Sequence, residues 1–219
     1  MIRFARHRIA HLLAVVIGIY SIIVMAGWVF DIDAFTRIVS AHVSINMKFV
    51  TAFLFLLSAS GLFLISRVVQ DEDEVAGVFL PGIALTLAIV ASSMLAGRLL
   101  GIPTGIETLF VRQPDILTIT NLEPVSGLPS IPALLNFMIF SVVTVIANFA
   151  TVFRKQYITI MSFAIIAIAC VAMIGYAFNV PALYFEFNNA SVPMAFNTAL
   201  CFILLGIGLA FVNRAEKNP

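Results

Sequence analysis

Charge is scarce in this chain: Asp, Glu, Lys and Arg make up 11% of its 219 residues, well under the quarter or so that soluble domains carry. That shortage excludes an ordinary soluble globular domain. Cysteine is scarcer still. Cys170 and Cys201 both fall inside apolar stretches, so neither a disulfide framework nor a metal-binding spacing is present, and each thiol serves as a small apolar group. Of the three histidines, His7 and His11 are four residues apart at the start of the first apolar stretch and His42 lies in a loop. A membrane haem held by two histidines needs them on facing helices at similar depth, so no haem and no other cofactor is expected. No ionisable residue lies near the middle of an apolar stretch, which argues against a proton- or ion-coupled pump. A Ser-His-Asp arrangement, a metal cluster and a glycine-rich phosphate loop are missing as well, so the chain reads as non-enzymatic. The net charge of +1 makes no case for a nucleic-acid partner.

What is present is apolar surface, with 62% hydrophobic residues and a mean hydropathy of +1.10. Crossing about 30 Å of hydrocarbon takes roughly 20 residues. Stretches of about that length run from Ile9 to Phe30, Phe49 to Ile65, Val78 to Leu100, Ala133 to Phe153, Ile158 to Phe178 and Met194 to Val212. The second and sixth are short, and they pass if their polar entrances sit in the interface. The fold expected is therefore an all-α integral membrane protein with six transmembrane helices and the lipid bilayer as its partner.

The chain also repeats itself. Gly27-Trp28-Val29-Phe30-Asp31-Ile32, a polar stretch, then Met47-Lys48-Phe49-Val50-Thr51-Ala52 returns as Gly175-Tyr176-Ala177-Phe178-Asn179-Val180, a polar stretch, then Met194-Ala195-Phe196-Asn197-Thr198-Ala199. A weaker middle copy opens with Gly97-Arg98-Leu99-Leu100-Gly101-Ile102-Pro103 and resumes near Pro132-Ala133-Leu134. A fixed internal offset means copies of one supersecondary unit. Here the unit is a helical hairpin, covering about 9–66, 77–153 and 157–213 within a single domain, 1–219. A two-helix unit returns the chain to the side it came from, so the three hairpins are like-oriented and not inverted. They could close into a bundle of rough threefold symmetry with a shared mouth.

Basic residues set the orientation, because Lys and Arg are retained on the cytoplasmic side. Arg3, Arg6, Arg8, Arg67, Arg154, Lys155, Arg214 and Lys217 lie at one set of ends; Arg37, Lys48, Arg98 and Arg112 lie at the other. Both termini are expected in the cytoplasm, with 101–131 as a long extracytoplasmic loop, 213–219 as a short cytoplasmic tail, and the first span retained. Within the long loop, Ile106–Arg112 could form a short helix on the membrane surface. The run Asp71-Glu72-Asp73-Glu74 precedes the third span, where carboxylates complement the positive end of a helix.

The candidate ligand contacts are Trp28, Lys48, Arg98, Tyr176 and Asn197. Trp28, Arg98 and Tyr176 share one repeat position; aromatic rings there also anchor at an interface, while an arginine at that depth either snorkels outward or pairs inward. Thr51, Thr198 and Asn136 read as helix-packing residues, since small and hydroxylated side chains let membrane helices approach and bond across.

The segments Tyr176-Ala177-Phe178-Asn179-Val180-Pro181-Ala182-Leu183-Tyr184 and Val192-Pro193-Met194-Ala195-Phe196-Asn197-Thr198-Ala199-Leu200-Cys201-Phe202-Ile203-Leu204-Leu205-Gly206 resemble the multi-pass N-terminal sensor regions of bacterial histidine kinases and diguanylate cyclases. The resemblance spans Ile9 to Val212 and implies a bacterial inner-membrane location. In that group a PAS, kinase or GGDEF module follows; here seven residues follow, so a separate kinase or cyclase is the partner expected, and self-association is left open. The leading expectation is a non-catalytic sensory or regulatory module that detects a small or lipid-like ligand, or a membrane state. The alternatives are a structural or accessory subunit of a larger membrane complex and a small transporter or channel.

Overall fold

A computed structural model describes residues 2–36, 46–69, 74–100, 102, 104–106, 109, 127–149, 154–184 and 192–215. The described residues form helices and their connections, with no strand among them. In chain order the helices are α1 (Ile2–Val29), α2 (Asp33–Thr36), α3 (Phe49–Val68), α4 (Glu74–Leu100), α5 (Ile131–Asn148), α6 (Arg154–Phe178) and α7 (Phe196–Ala215), with a 3₁₀ turn at Pro181–Tyr184 between the last two.

Among the described residues, five stretches are long and apolar enough to cross a membrane: Arg8–Val29, Phe49–Val68, Val75–Leu100, Ile131–Asn148 and Arg154–Phe178. The sixth expected span, Met194–Val212, is not among the five. Its apolar part, Phe196–Val212, is a shorter helix because Met194 and Ala195 precede the helix start. The surface helix expected over Ile106–Arg112 falls mostly outside the described residues, as do Asp71, Glu72 and Asp73 of the acidic run and His42.

Consecutive long helices pack in pairs, α1 on α3, α4 on α5 and α6 on α7. Contacts of α3 with α4, α5 with α6 and α7 with α1 close these pairs into a ring, and α3, α5 and α7 meet inside it. Burial follows that arrangement. Of the most apolar windows of α3 and α5, 67% and 56% of residues are buried, against 28%, 28% and 33% for α1, α4 and α6. The three outer helices therefore present most of their surface to lipid.

The spacing of the buried residues explains how helices apolar on every side still choose one packing face. On α1 the seam is Ala10, Ala14, Ile17, Ser21 and Val24; the same intervals of four and three run from Leu80 to Met94 on α4 and from Ile158 to Ala172 on α6. A seven-residue recurrence of this kind keeps one stripe facing the partner along the whole helix. The stripe is rich in small residues, which let the backbones close in. The Ser141 hydroxyl donates to the Ala84 carbonyl at 2.8 Å, and a Cβ placed on Gly206 would lie 3.0 Å from the Ser162 carbonyl oxygen.

Inside the ring, buried positions starting from Thr51, Ala133 and Thr198 also advance by four, three, four and three. The first step places Phe55, Phe137 and Phe202 against one another, with ring centroids 4.9, 4.5 and 4.8 Å apart. All three rings are completely buried. Tilted and edge-on contacts at this separation are the favoured geometry for aromatic pairs, and the triad fills the centre of the bundle.

Candidate functional site

Each of α1, α4 and α6 ends in the same way, and the ending positions the site. The amide of Ile32 donates to the Gly27 carbonyl, that of Ile102 to Gly97 and that of Val180 to Gly175, each at 2.8 Å. A bond from an amide back to the carbonyl five residues earlier is the Schellman closure of a helix, and it needs a left-handed residue just past the end. Asp31 and Asn179 supply it with φ of 56° and 53°, and they are among the side chains that tolerate this region best. The chain then folds back against the last helical turn. A Cβ on Gly27 would lie 2.8 Å from the Phe35 Cβ, one on Gly97 2.7 Å from the Ile102 carbonyl oxygen, and one on Gly175 2.9 Å from the Tyr184 amide nitrogen.

The residue after each of these glycines reaches sideways to the chain entering the next inner helix. Trp28 Nε1 donates to the Met47 carbonyl at 2.8 Å. Arg98 Nη1 donates to the Pro129 carbonyl at 2.8 Å, and the Tyr176 hydroxyl donates to the Met194 carbonyl at 2.5 Å. Three different side chains thus do one job: each ties the end of an outer helix to the lead-in of its inner partner. For Arg98 the partner is a backbone carbonyl and not a carboxylate among the described residues. Tyr176 is held further by stacking on Tyr184, with centroids 4.5 Å apart and planes 7° from parallel, and by the edge of Phe196.

Between these three lead-ins lies a cavity of about 20 Å³. Lys48 and Thr51 line it from the start of α3, Ser130 and Ala133 from the start of α5, and Ala195 and Thr198 from the start of α7; Asn46, Met47, Leu128, Pro129, Val192 and Pro193 complete the wall. One helical turn beyond Thr51, Ala133 and Thr198 come Phe55, Phe137 and Phe202, so the aromatic triad lies beneath the cavity without lining it. Burial lowers the Lys48 ammonium pKa below the ordinary lysine value, because the charged form is poorly hydrated there.

Of the expected ligand contacts, Lys48 alone lines this cavity. Trp28, Arg98 and Tyr176 form its outer supports, and Asn197 lies elsewhere: its carboxamide and the Tyr20 hydroxyl come together between α1 and α7 without closing a hydrogen bond. Thr51 and Thr198, read as packing residues, are cavity-lining as well as buried. Asn136 is fully buried in α5, yet neither its amide nitrogen nor its oxygen has a partner among the described residues. Ser130 went unnoticed in the sequence, although a serine followed at once by Ile131-Pro132 marks a helix start. Its hydroxyl accepts from the Ala133 amide at 3.4 Å. His11 packs on Phe63 at 4.6 Å. Among the described residues no group of His, Cys, Asp and Glu is placed to hold a metal ion.

The fold and the composition define the class as an all-helical, multi-pass membrane protein. No protein-family model, no curated protein and no solved structure matches the chain.

Proposed function

We propose that this chain is a non-catalytic sensory or regulatory module of the bacterial inner membrane, reading a ligand at the mouth formed by its three inner-helix lead-ins and passing a helix shift to an output partner. The reading includes six spans, three like-oriented hairpins and both termini in the cytoplasm. α7 contributes the sixth span, since its 20 residues reach about 30 Å at 1.5 Å per residue. The observation that carries the proposal is the set of bonds from Trp28 to Met47, Arg98 to Pro129 and Tyr176 to Met194. A ligand entering the cavity presses on the same three backbone segments that these bonds hold. Any displacement is then delivered to α3, α5 and α7, which pack together through the aromatic triad. Such a device works only if the ligand binds two arrangements of the bundle with different affinity.

The aromatic floor weighs against the transporter or channel alternative, because Phe55, Phe137 and Phe202 fill the axis where a polar lumen would run. The accessory-subunit alternative differs in its test. A thermal-shift and saturation-binding screen on the purified protein, run beside crosslinked pull-downs, is expected to return a ligand and a kinase- or cyclase-type partner. Retrieval of a stable membrane complex with no ligand response would favour the accessory subunit, and silence in both arms would end the sensory reading. Reporter fusions at the C-terminus and within 101–131 are expected to report opposite sides of the membrane.

A further inference from the structure

The mouth cavity carries a chemical preference of its own. Lys48 lines it, and among the described residues it has no ion pair and the wall holds no carboxylate. Thr51 and Thr198 are each 97% buried (3% exposed), both line the cavity, and neither hydroxyl has a hydrogen-bond partner among the described residues. Asn46 lines it too, with a carboxamide whose oxygen is buried without a partner and which also carries an N–H₂ donor. The first helical bonds of α3, α5 and α7 run to the carbonyls of Lys48, Ser130 and Ala195 at 3.0, 3.0 and 3.1 Å, so three helix N-termini open at the cavity wall. Each carries a partial positive charge. Convergent donors, a cation and three positive helix ends around one small space favour a negative occupant.

We infer that the mouth is a binding site for a small free anion of halide size, held by Lys48 and by the hydroxyls of Thr51 and Thr198. Size narrows the class: about 20 Å³ is a little more than the roughly 10–15 Å³ that a single water needs, which suits a monatomic ion. The neutral aromatic floor beneath blocks passage, so the site holds an ion without conducting it. The inference rests on the sensory reading only for its consequence: the anion would be the ligand, or would set the resting arrangement of the lead-ins.

The test uses the full chain in detergent, with gluconate replaced stepwise by chloride at constant ionic strength. Gluconate, a bulky and weakly coordinating organic anion, serves as the reference. A saturable rise in the thermal midpoint is expected, together with chloride-35 line broadening that is quenched by competing bromide. Lys48→Gln should abolish both signals. The double substitution Thr51→Val with Thr198→Val should weaken apparent affinity about tenfold or more, the loss of roughly 1.4 kcal/mol. No saturable rise and no excess line width in the unmodified protein would overturn the site, and so would an unchanged response in Lys48→Gln. The line-width measurement needs no variant and decides the question even if a substituted chain fails to fold. Spin-label distances between the cytoplasmic ends of α1 and α7, with and without chloride, separate the two proposals. Binding without movement leaves the site standing and removes chloride as a signal, whereas movement with another ligand but no chloride binding leaves the sensory reading and removes the site.

Discussion

Arg98 donates through Nη1 to the carbonyl of Pro129 at 2.8 Å, binding the end of α4 to the lead-in of α5. A charged donor on a backbone acceptor contributes about 1.5–3 kcal/mol. Arg98→Ala is therefore expected to lower the thermal midpoint and the resistance to SDS unfolding by a loss in that range. Arg98→Tyr should recover part of it, because a tyrosine hydroxyl serves at Tyr176. An SDS titration of the three proteins side by side measures both effects.

Tyr176→Phe removes one hydroxyl and keeps the stack on Tyr184. The expected cost is about 0.5–1.5 kcal/mol. Tyr176→Ala also loses the ring contacts with Tyr184 and Phe196, so its midpoint should fall further. Equal losses for the two variants would show that the hydroxyl alone matters.

A methyl group at position 175 meets backbone as well as side chain, with the Tyr184 amide nitrogen at 2.9 Å and the Leu183 carbonyl carbon at 3.0 Å. Gly175→Ala should cost about 1–3 kcal/mol, the usual range for forced repacking. Gly82→Ala is the control: nothing lies within 4 Å of the new methyl, and in a helix interior the change is worth up to about 1 kcal/mol in favour of alanine. Midpoints that move in opposite directions are the expected result.

Asn136 is buried with both polar atoms of its amide unpartnered among the described residues. Unmet hydrogen bonding in an apolar setting costs about 1–3 kcal/mol. Asn136→Leu, close in volume, is therefore expected to raise the midpoint. If that stabilised variant also lost its ligand response, the buried amide would be a device for keeping two arrangements close in energy.

Lys48 has its pKa lowered by burial. Between that lowered value and the ordinary 10.5, the unfolded chain holds more protons than the folded one, so stability rises with pH across this window. Below it the charged, buried ammonium weakens the fold. Lys48→Met in gluconate buffer should accordingly raise the midpoint at neutral pH, and the gap to the unmodified protein should narrow as the pH climbs toward 10.5. The difference between the two melting curves, taken from pH 6 to pH 10.5, cancels other titrating groups.

The membrane-spanning character and five of the expected spans were legible because hydropathy over some 20 residues is a large, additive signal. That Trp28, Arg98 and Tyr176 each follow a glycine near the end of a long apolar stretch was legible too. Their partners were not: the acceptors are the carbonyls of Met47, Pro129 and Met194, and a carbonyl leaves no mark in a sequence. The inner position of α3, α5 and α7 was equally hidden. In a membrane the lipid-facing side of a helix is as apolar as its packing side, so the usual contrast between core and surface is lost. A faint trace remained in the small-residue seam from Ala10 to Val24 and its counterparts from Leu80 and Ile158.

By itself, then, the sequence determined that this chain consists largely of long apolar helices suited to a bilayer, because too few charges exist to dissolve it and every long stretch suits hydrocarbon. Only the tertiary structure decided which helices stand inside, which side chains clamp the lead-ins, and that Lys48, Thr51 and Thr198 face one small cavity above Phe55, Phe137 and Phe202. Those choices depend on van der Waals fit and on hydrogen bonds to backbone between residues far apart in the chain, Thr51 and Thr198 being 147 positions apart, and such complementarity exists only once the helices have met.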